Sequence, residues 1–417
     1  MTGKPTALLK TLLPGLATVG FTIGTGSVTA MAKSGANHGT ALLWALLLSC
    51  WISCVLLAAF GRLTVLTRTG ALEAIRTHLH PALAAGILGA VWFNVGVSIT
   101  GVMGVIADVL AAWSRDWFAS GVPPIAWAAI VSAVIAAAML RGSVKRIELV
   151  LAVLAGVMGV CFLVNAAFAW PGWAEVARGL IPTLPPGADG EPNRAESALL
   201  VASIVGTTVA PVVLLFRALM IREEDWGVEQ LAVQRRDAVV SAVLIFLICA
   251  AVMTSATGVL YDSGLRLDAA HEMIGLLEPA IGPAAVVVFV VGITAAGVSS
   301  QFPNIAALPC LLRDFQRRPI RLTATLERTM IVAGAALGLL VPAVGSQPVA
   351  VMILSQALNA VVLPVVVGCV WLLLNRTAVV GPNHLRASAN VTLGVVMVLV
   401  VLIAGSGVYG IYGKLAG

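Results

Sequence analysis

Gly206-Thr207-Thr208-Val209-Ala210-Pro211 interrupts an apolar run over 197–221, and Gly24-Thr25-Gly26-Ser27 interrupts another over 12–33. Each falls near the middle of a stretch long enough to cross a bilayer as one helix, which takes ~20 apolar residues. Glycine weakens a helix, and proline removes one of its hydrogen bonds. Backbone opened at that depth survives only where it is buried in protein or lines a cavity. One such motif reads equally well as small residues that let helices pack closely. Two of them, at corresponding places in two halves of a chain, point to the central site of a secondary transporter.

The rest of the chain agrees with a membrane setting. Of 417 residues 59% are hydrophobic and only 11% charged, with a mean hydropathy of +1.01. That composition excludes a soluble enzyme, a disordered chain and a nucleic-acid binder, because too little polar surface remains to cover a globule in water. Aromatic residues at 6% and weak alternation also exclude an outer-membrane barrel. Five of the six cysteines (Cys50, Cys54, Cys161, Cys249, Cys369) lie in apolar runs and Cys310 follows one, which gives no disulfide framework.

Apolar runs between polar breaks predict eleven spans, near 12–33, 40–60, 84–111, 123–140, 148–170, 197–221, 238–259, 283–308, 329–345, 350–375 and 388–411. Only Gly345-Ser346-Gln347-Pro348 separates spans 9 and 10. Spans 1 and 6 stand five apart, an odd number, so the second five-span unit enters the membrane from the opposite side. The expectation is an all-α integral membrane protein with a 5+5 inverted repeat: 12–170 (spans 1–5), 197–375 (spans 6–10) and an extra C-terminal span, 388–411. Of 25 basic residues, 18 fall on one side, from Lys4 and Lys10 through Arg62, Arg141, Arg222 and Arg313 to Arg386, and six on the other. The positive-inside rule then sets the N-terminus in the cytoplasm and the C-terminus outside a cell (inner or plasma) membrane.

Gly35-Ala36-Asn37-His38-Gly39 with Leu42-Leu43-Trp44, then Ser355-Gln356 and Leu363-Pro364, resemble runs of the Nramp family of proton-coupled divalent-metal transporters. Gly206-Thr207-Thr208 and Arg222-Glu223-Glu224-Asp225-Trp226-Gly227 resemble a divergent, Nramp-related branch. The resemblance covers nearly the whole chain and implies the LeuT-type inverted-repeat fold. It also implies where metal would bind, and there the chain departs from the pattern. The family's metal-binding Asp and Asn of span 1 fall on Gly24 and Ser27. Its Met-Pro-His of span 6 falls on Ala210, Pro211 and Val212, and a second His falls on Arg217. The acidic pair that moves protons in span 3 falls on Gly101 and Gly104.

What remains for binding is Gln356, the hydroxyls of Thr25, Ser27, Thr207 and Thr208, and backbone around Gly24, Gly26, Val209 and Ala210. These are neutral, hard donors, whereas transition metals want carboxylate, imidazole or sulfur and a buried divalent ion wants charge compensation. They suit a hydrated cation such as Mg²⁺ or a small polar or anionic organic solute. A receptor or scaffold that kept the fold without transport is the third alternative. No phosphate-binding loop occurs, so neither a nucleotide nor another cofactor is expected, and the partners are the lipid bilayer and a small solute or cation.

Three further features carry expectations. Cys50 and Cys54 share a helix face and read as buried packing residues. Ser299-Ser300-Gln301 with Pro303-Asn304 reads as a break in span 8. Arg217, seven residues after Ala210, is expected to snorkel to the interface, to stand as a fixed charge in the inner vestibule, or to pair with Glu148 at the start of span 5.

Overall fold

The computed structural model describes residues 20, 22–115, 121–141, 144–185, 194–318, 325–345 and 347–416. The principal helices are α1 (Thr25–His38), α2 (Leu43–Thr67), α3 (Ala71–His78), α4 (Pro81–Ser114), α5 (Pro124–Arg141), α6 (Val144–Phe168) and α7 (Trp173–Gly179). They continue with α8 (Arg194–Thr208), α9 (Pro211–Glu223), α10 (Leu231–Ala256), α11 (Ala285–Gln316), α12 (Thr325–Leu337), α13 (Leu340–Val344), α14 (Pro348–Asn375) and α15 (Ala387–Ala416). Among the described residues, nine helical stretches are long and apolar enough to cross a membrane. Gly156–Phe168 and α7, bent by 117° at the break between them, make a tenth if the two are counted as one span. Span 1 enters as α1, its second half, because most of its first half lies outside the described residues.

Local chemistry sets the helix ends. Pro81, Pro211 and Pro348 each open a helix, at the position where a missing N–H costs nothing. Gly345, at φ +69°, turns the chain between α13 and α14, so spans 9 and 10 are separate helices as the Gly-Ser-Gln-Pro run predicted. The expected break in span 8 is absent. α11 runs unbroken from Ala285 to Gln316 with Pro303 and Pro309 inside it. In a bilayer a helix keeps its remaining bonds around a proline, because unwinding would expose still more backbone.

The helices pack as one bundle, in which α14 lies against both α4 and α8. In it α10 lies against α1 and α2, and α2 also meets α8 and α9. α4 lies against α11 and α14. Close approach is possible where glycine leaves room: a Cβ on Gly206 of α8 would stand 1.7 Å from the backbone oxygen of Gln356 in α14. Gly101 and Gly104, the span 3 positions where the resemblance would put acids, do the same work. Their Cβ atoms would meet Met352 at 3.1 Å and Val341 at 2.6 Å, so α4 is pressed onto α14 and α13 there.

At the arginine-rich end of the bundle, Asp314 of α11 is buried. Its Oδ2 accepts from the N–H groups of Leu72 (3.1 Å) and Glu73 (3.3 Å), while Oδ1 accepts from Arg222 at 3.0 Å. One carboxylate thus caps α3 and ties the end of α9 to α11, a charge-assisted arrangement favoured at a helix N-terminus.

Candidate functional site

Both interruptions quoted at the outset are real breaks. Ala210 is extended (φ −61°, ψ 130°) between α8 and α9, as a residue before proline must be to avoid its ring. Gly24 is extended (φ −110°, ψ −171°) at the start of α1. Side chains take up the backbone groups so released. Ser53 Oγ donates to the Thr208 carbonyl at 3.2 Å, and Ser27 Oγ donates to that of Thr22. Having spent its proton there, Ser27 accepts from Thr207 Oγ1 at 2.9 Å. Residues 180 positions apart in sequence therefore join the two breaks directly.

Between the breaks lies a small cavity of about 40 Å³. Of the residues expected at the site, Gly24, Gly26, Ser27, Thr207, Ala210 and Gln356 line it. Thr25, Thr208 and Val209 do not. Thr25 Oγ1 turns away to the Ile293 carbonyl of α11 at 3.4 Å. Thr208 Oγ1 bonds back to the Ile204 and Val205 carbonyls of its own helix, both at 3.1 Å. Val209 is packed in the core. The motif spacing put all of these residues at the right depth but could not tell which side faced inward.

The sequence reading missed much of the wall. Thr22, Asn94, Ser98, Ser300, Asn304 and Asn359 line the cavity too. Signals for them existed. Asn94 is an isolated amide in the middle of span 3, where polar groups are costly and rarely idle. Asn359 follows Gln356 by three residues, hence on the same helix face, and Ser300 and Asn304 are the polar residues first read as a helix break. Altogether the wall carries four carboxamides and five hydroxyls, from Asn94, Asn304, Gln356, Asn359, Thr22, Ser27, Ser98, Thr207 and Ser300. No Asp, Glu, His, Lys, Arg or Cys is among its described lining residues, and no cluster of three or more potential metal-binding His, Cys, Asp or Glu side chains occurs among the described residues.

The structure gives Arg217 a partner that the sequence did not suggest. Its side chain is 0% exposed and its Nη2 stands 2.6 Å from Asp237 Oδ2, itself 2% exposed. It neither snorkels nor lines the cavity. Asp237 sits one residue ahead of the apolar run 238–259 and so read as loop, but α10 begins at Leu231 and carries it into the bundle. Glu148 lies in α6, with its side chain outside the described residues. Asp108 of α4 accepts from the backbone N–H of His271 at 3.1 Å. Cys50 is buried and Cys54 half-buried, both as free thiols.

Comparison with known proteins places this architecture. The sequence family described as natural resistance-associated macrophage protein-like, Nramp, matches residues 15–410. The chain belongs to the Nramp family. A divalent metal cation transporter, MntH, of Burkholderia ambifaria is 26% identical over 406 residues, covering 93% of this chain and 85% of that protein. MntH of Acidiphilium cryptum is 26% identical over 398 residues, covering 91% and 87%. The crystal structure of the Eremococcus coleocola manganese transporter superimposes with a TM-score of 0.74 at 18% identity, over 99% of this chain and 90% of that one. MhsT, solved with L-phenylalanine, matches at 0.62 and 13% identity over 96% and 99%. This Nramp chain therefore has the LeuT-type fold, one that surrounds different cargoes in different proteins, so its cargo must be argued from its own cavity.

Proposed function

We propose that this Nramp-family protein is a secondary transporter working by alternating access around the α1 and α8–α9 breaks, and that its cargo is a small polar solute without net charge. The observation that carries the reading is the cavity wall: four carboxamides and five hydroxyls, with no titratable side chain among the described lining residues. A divalent ion desolvated at mid-membrane would find no compensating charge there, and a transition metal no ligand of the kind it prefers. A neutral solute with several hydrogen-bonding groups would find partners on every side. The link from Ser27 to Thr207 supports transport over a scaffold role, since a scaffold gains nothing from two opened spans. The chain sits as a multi-pass protein in the inner or plasma membrane, with its N-terminus and its arginine-rich loops in the cytoplasm.

A second reading, passage of a divalent cation that keeps its water shell, rests on the MntH relatives and on Gln356 in the wall. Isothermal calorimetry and proteoliposome flux on the purified full chain separate the two. Neutral polar solutes are expected to bind saturably and to exchange, with Mn²⁺ and Mg²⁺ showing neither. Micromolar Mn²⁺ binding with flux would overturn the neutral-solute reading, and millimolar Mg²⁺ flux alone would favour the hydrated ion.

A further inference from the structure

We infer that Asn94, Asn359 and Gln356 form the specificity element of the cavity, and that it reads a solute of the carboxamide class, neutral and both donating and accepting hydrogen bonds. This rests on the neutral-solute reading above and goes further by naming the chemistry recognised.

The three amides form a relay between two packed helices. Asn94 Nδ2 of α4 donates to Asn359 Oδ1 of α14 in a short hydrogen bond. Asn359 Nδ2 then donates to Gln356 Oε1 at 3.2 Å. All three line the cavity, and each is 4–5% exposed. A carboxamide holds one acceptor oxygen and one donor nitrogen. Each oxygen has two lone pairs and each nitrogen two hydrogens, so spare capacity remains along the relay, but only at its ends is a whole group left unlinked, an oxygen at one and a nitrogen at the other. The acceptor is Asn94 Oδ1, which is buried with no hydrogen-bond partner among the described residues. The donor is Gln356 Nε2. Turning all three amides over exchanges the two ends and changes nothing else, so the relay presents one of each in either sense.

A cation would satisfy the acceptor and be repelled by the donor, and an anion would do the reverse. A carboxamide, with N–H beside C=O, answers both ends at once. The broken helix packs closely beside the donor end. A Cβ on Gly26 would lie 2.7 Å from Gln356 Nε2 and 2.5 Å from Met352 Cε, so only glycine lets α1 rest against this amide. Buried polar groups are paired almost without exception in native proteins. Asn94 Oδ1 is one of several such unmet atoms among the described residues, Thr22 Oγ1 of the same wall included, and its place in the cavity wall is what offers it to a ligand's donor.

The test compares four probes of similar size on the purified full chain. Malonamide is neutral and offers donors and acceptors, malonate offers only acceptors, 1,3-diaminopropane only donors, and glycerol is neutral but hydroxylated. Malonamide is expected to bind saturably and about tenfold or more tighter than the other three, the ratio set by leaving one buried end of the relay unmet. Asn359→Leu, which cuts the relay in the middle, should erase that preference. Asn94→Asp, of the same shape, replaces an amide by a carboxylate and should shift preference from malonamide to 1,3-diaminopropane by about tenfold. A purely structural asparagine would not produce that reversal, and should Asn359→Leu fail to fold, Asn94→Asp decides alone. If glycerol is preferred, or if malonamide is preferred but Asn94→Asp leaves the ratios unchanged, the relay inference falls and the neutral-solute reading stands. If malonate, 1,3-diaminopropane or Mn²⁺ binds the unaltered protein best, both fall.

Discussion

Replacing Asp237 by Asn tests the account of Arg217 most directly. The pair is 2.6 Å apart with side chains 0% and 2% exposed. At an effective dielectric of about 20 the attraction at that distance is about 6 kcal/mol. Desolvation of both ions offsets much of it, so the pair as a whole adds little over an apolar substitute, but removing one partner takes away the 2.6 Å contact that offsets the burial of the other. Asp237→Asn is therefore expected to cost about 3–5 kcal/mol. Arg217→Met combined with Asp237→Leu is expected to return to within about 1–2 kcal/mol of the parent, because both charges of the pair are then removed together. Unfolding of the detergent-solubilised protein by SDS, followed by tryptophan fluorescence, measures each difference. Asp237→Asn within about 1 kcal/mol of the parent, or a double variant as unstable as the sum of the singles, would refute the reasoning. Because Arg217 stands outside the cavity wall, the double variant should also keep the parent's solute preference; a changed preference would restore Arg217 as a vestibule charge.

The other predictions use neighbouring features. Grafting Gly24→Asp, Ser27→Asn and Ala210→Met should raise Mn²⁺ affinity by less than about tenfold, because a Cβ at Gly24 would stand 1.9 Å from Ser300 Oγ; adding Ser300→Gly should release the gain, and calorimetry showing the full gain without it would contradict this packing. Gly206→Ala drives a methyl group into the Gln356 backbone oxygen, at 1.7 Å, and should cost about 3 kcal/mol or abolish monodisperse expression. Gly405→Ala, with nothing within 4 Å, should be neutral or stabilising by up to about 1 kcal/mol, which size-exclusion profiles and melting curves can compare. Asp314→Ala removes the acceptor for Leu72, Glu73 and Arg222 and should cost about 2–3 kcal/mol. Hydrogen exchange should then accelerate at the amides of residues 72 and 73, and unchanged protection there would show that α3 holds without its cap.

Hydropathy alone determined that the chain crosses a membrane many times, because ~20-residue apolar runs have no other stable home. Gly24-Thr25-Gly26-Ser27 and Ala210-Pro211 determined where two spans break, since proline and glycine act on the backbone locally, whatever surrounds them. Those are short-range effects, and a sequence carries them in full. Which side of each opened segment faces the cavity was decided only by packing. Thr25 turns to Ile293 and Thr208 to its own helix, while Ser27 and Thr207 meet each other, and nothing in their spacing separates these outcomes. Asn94 belongs to the wall only because α4 lies against α14, which brings it to Asn359 from 265 positions away. Arg217 found Asp237 rather than an interface for the same kind of reason: α10 starts seven residues before the apolar run that marked span 7, so a carboxylate that read as loop is carried inside. Helix starts, side-chain facing and long-range partners are settled by what the neighbouring helices bury, and that is a property of the assembled bundle rather than of any one stretch of chain.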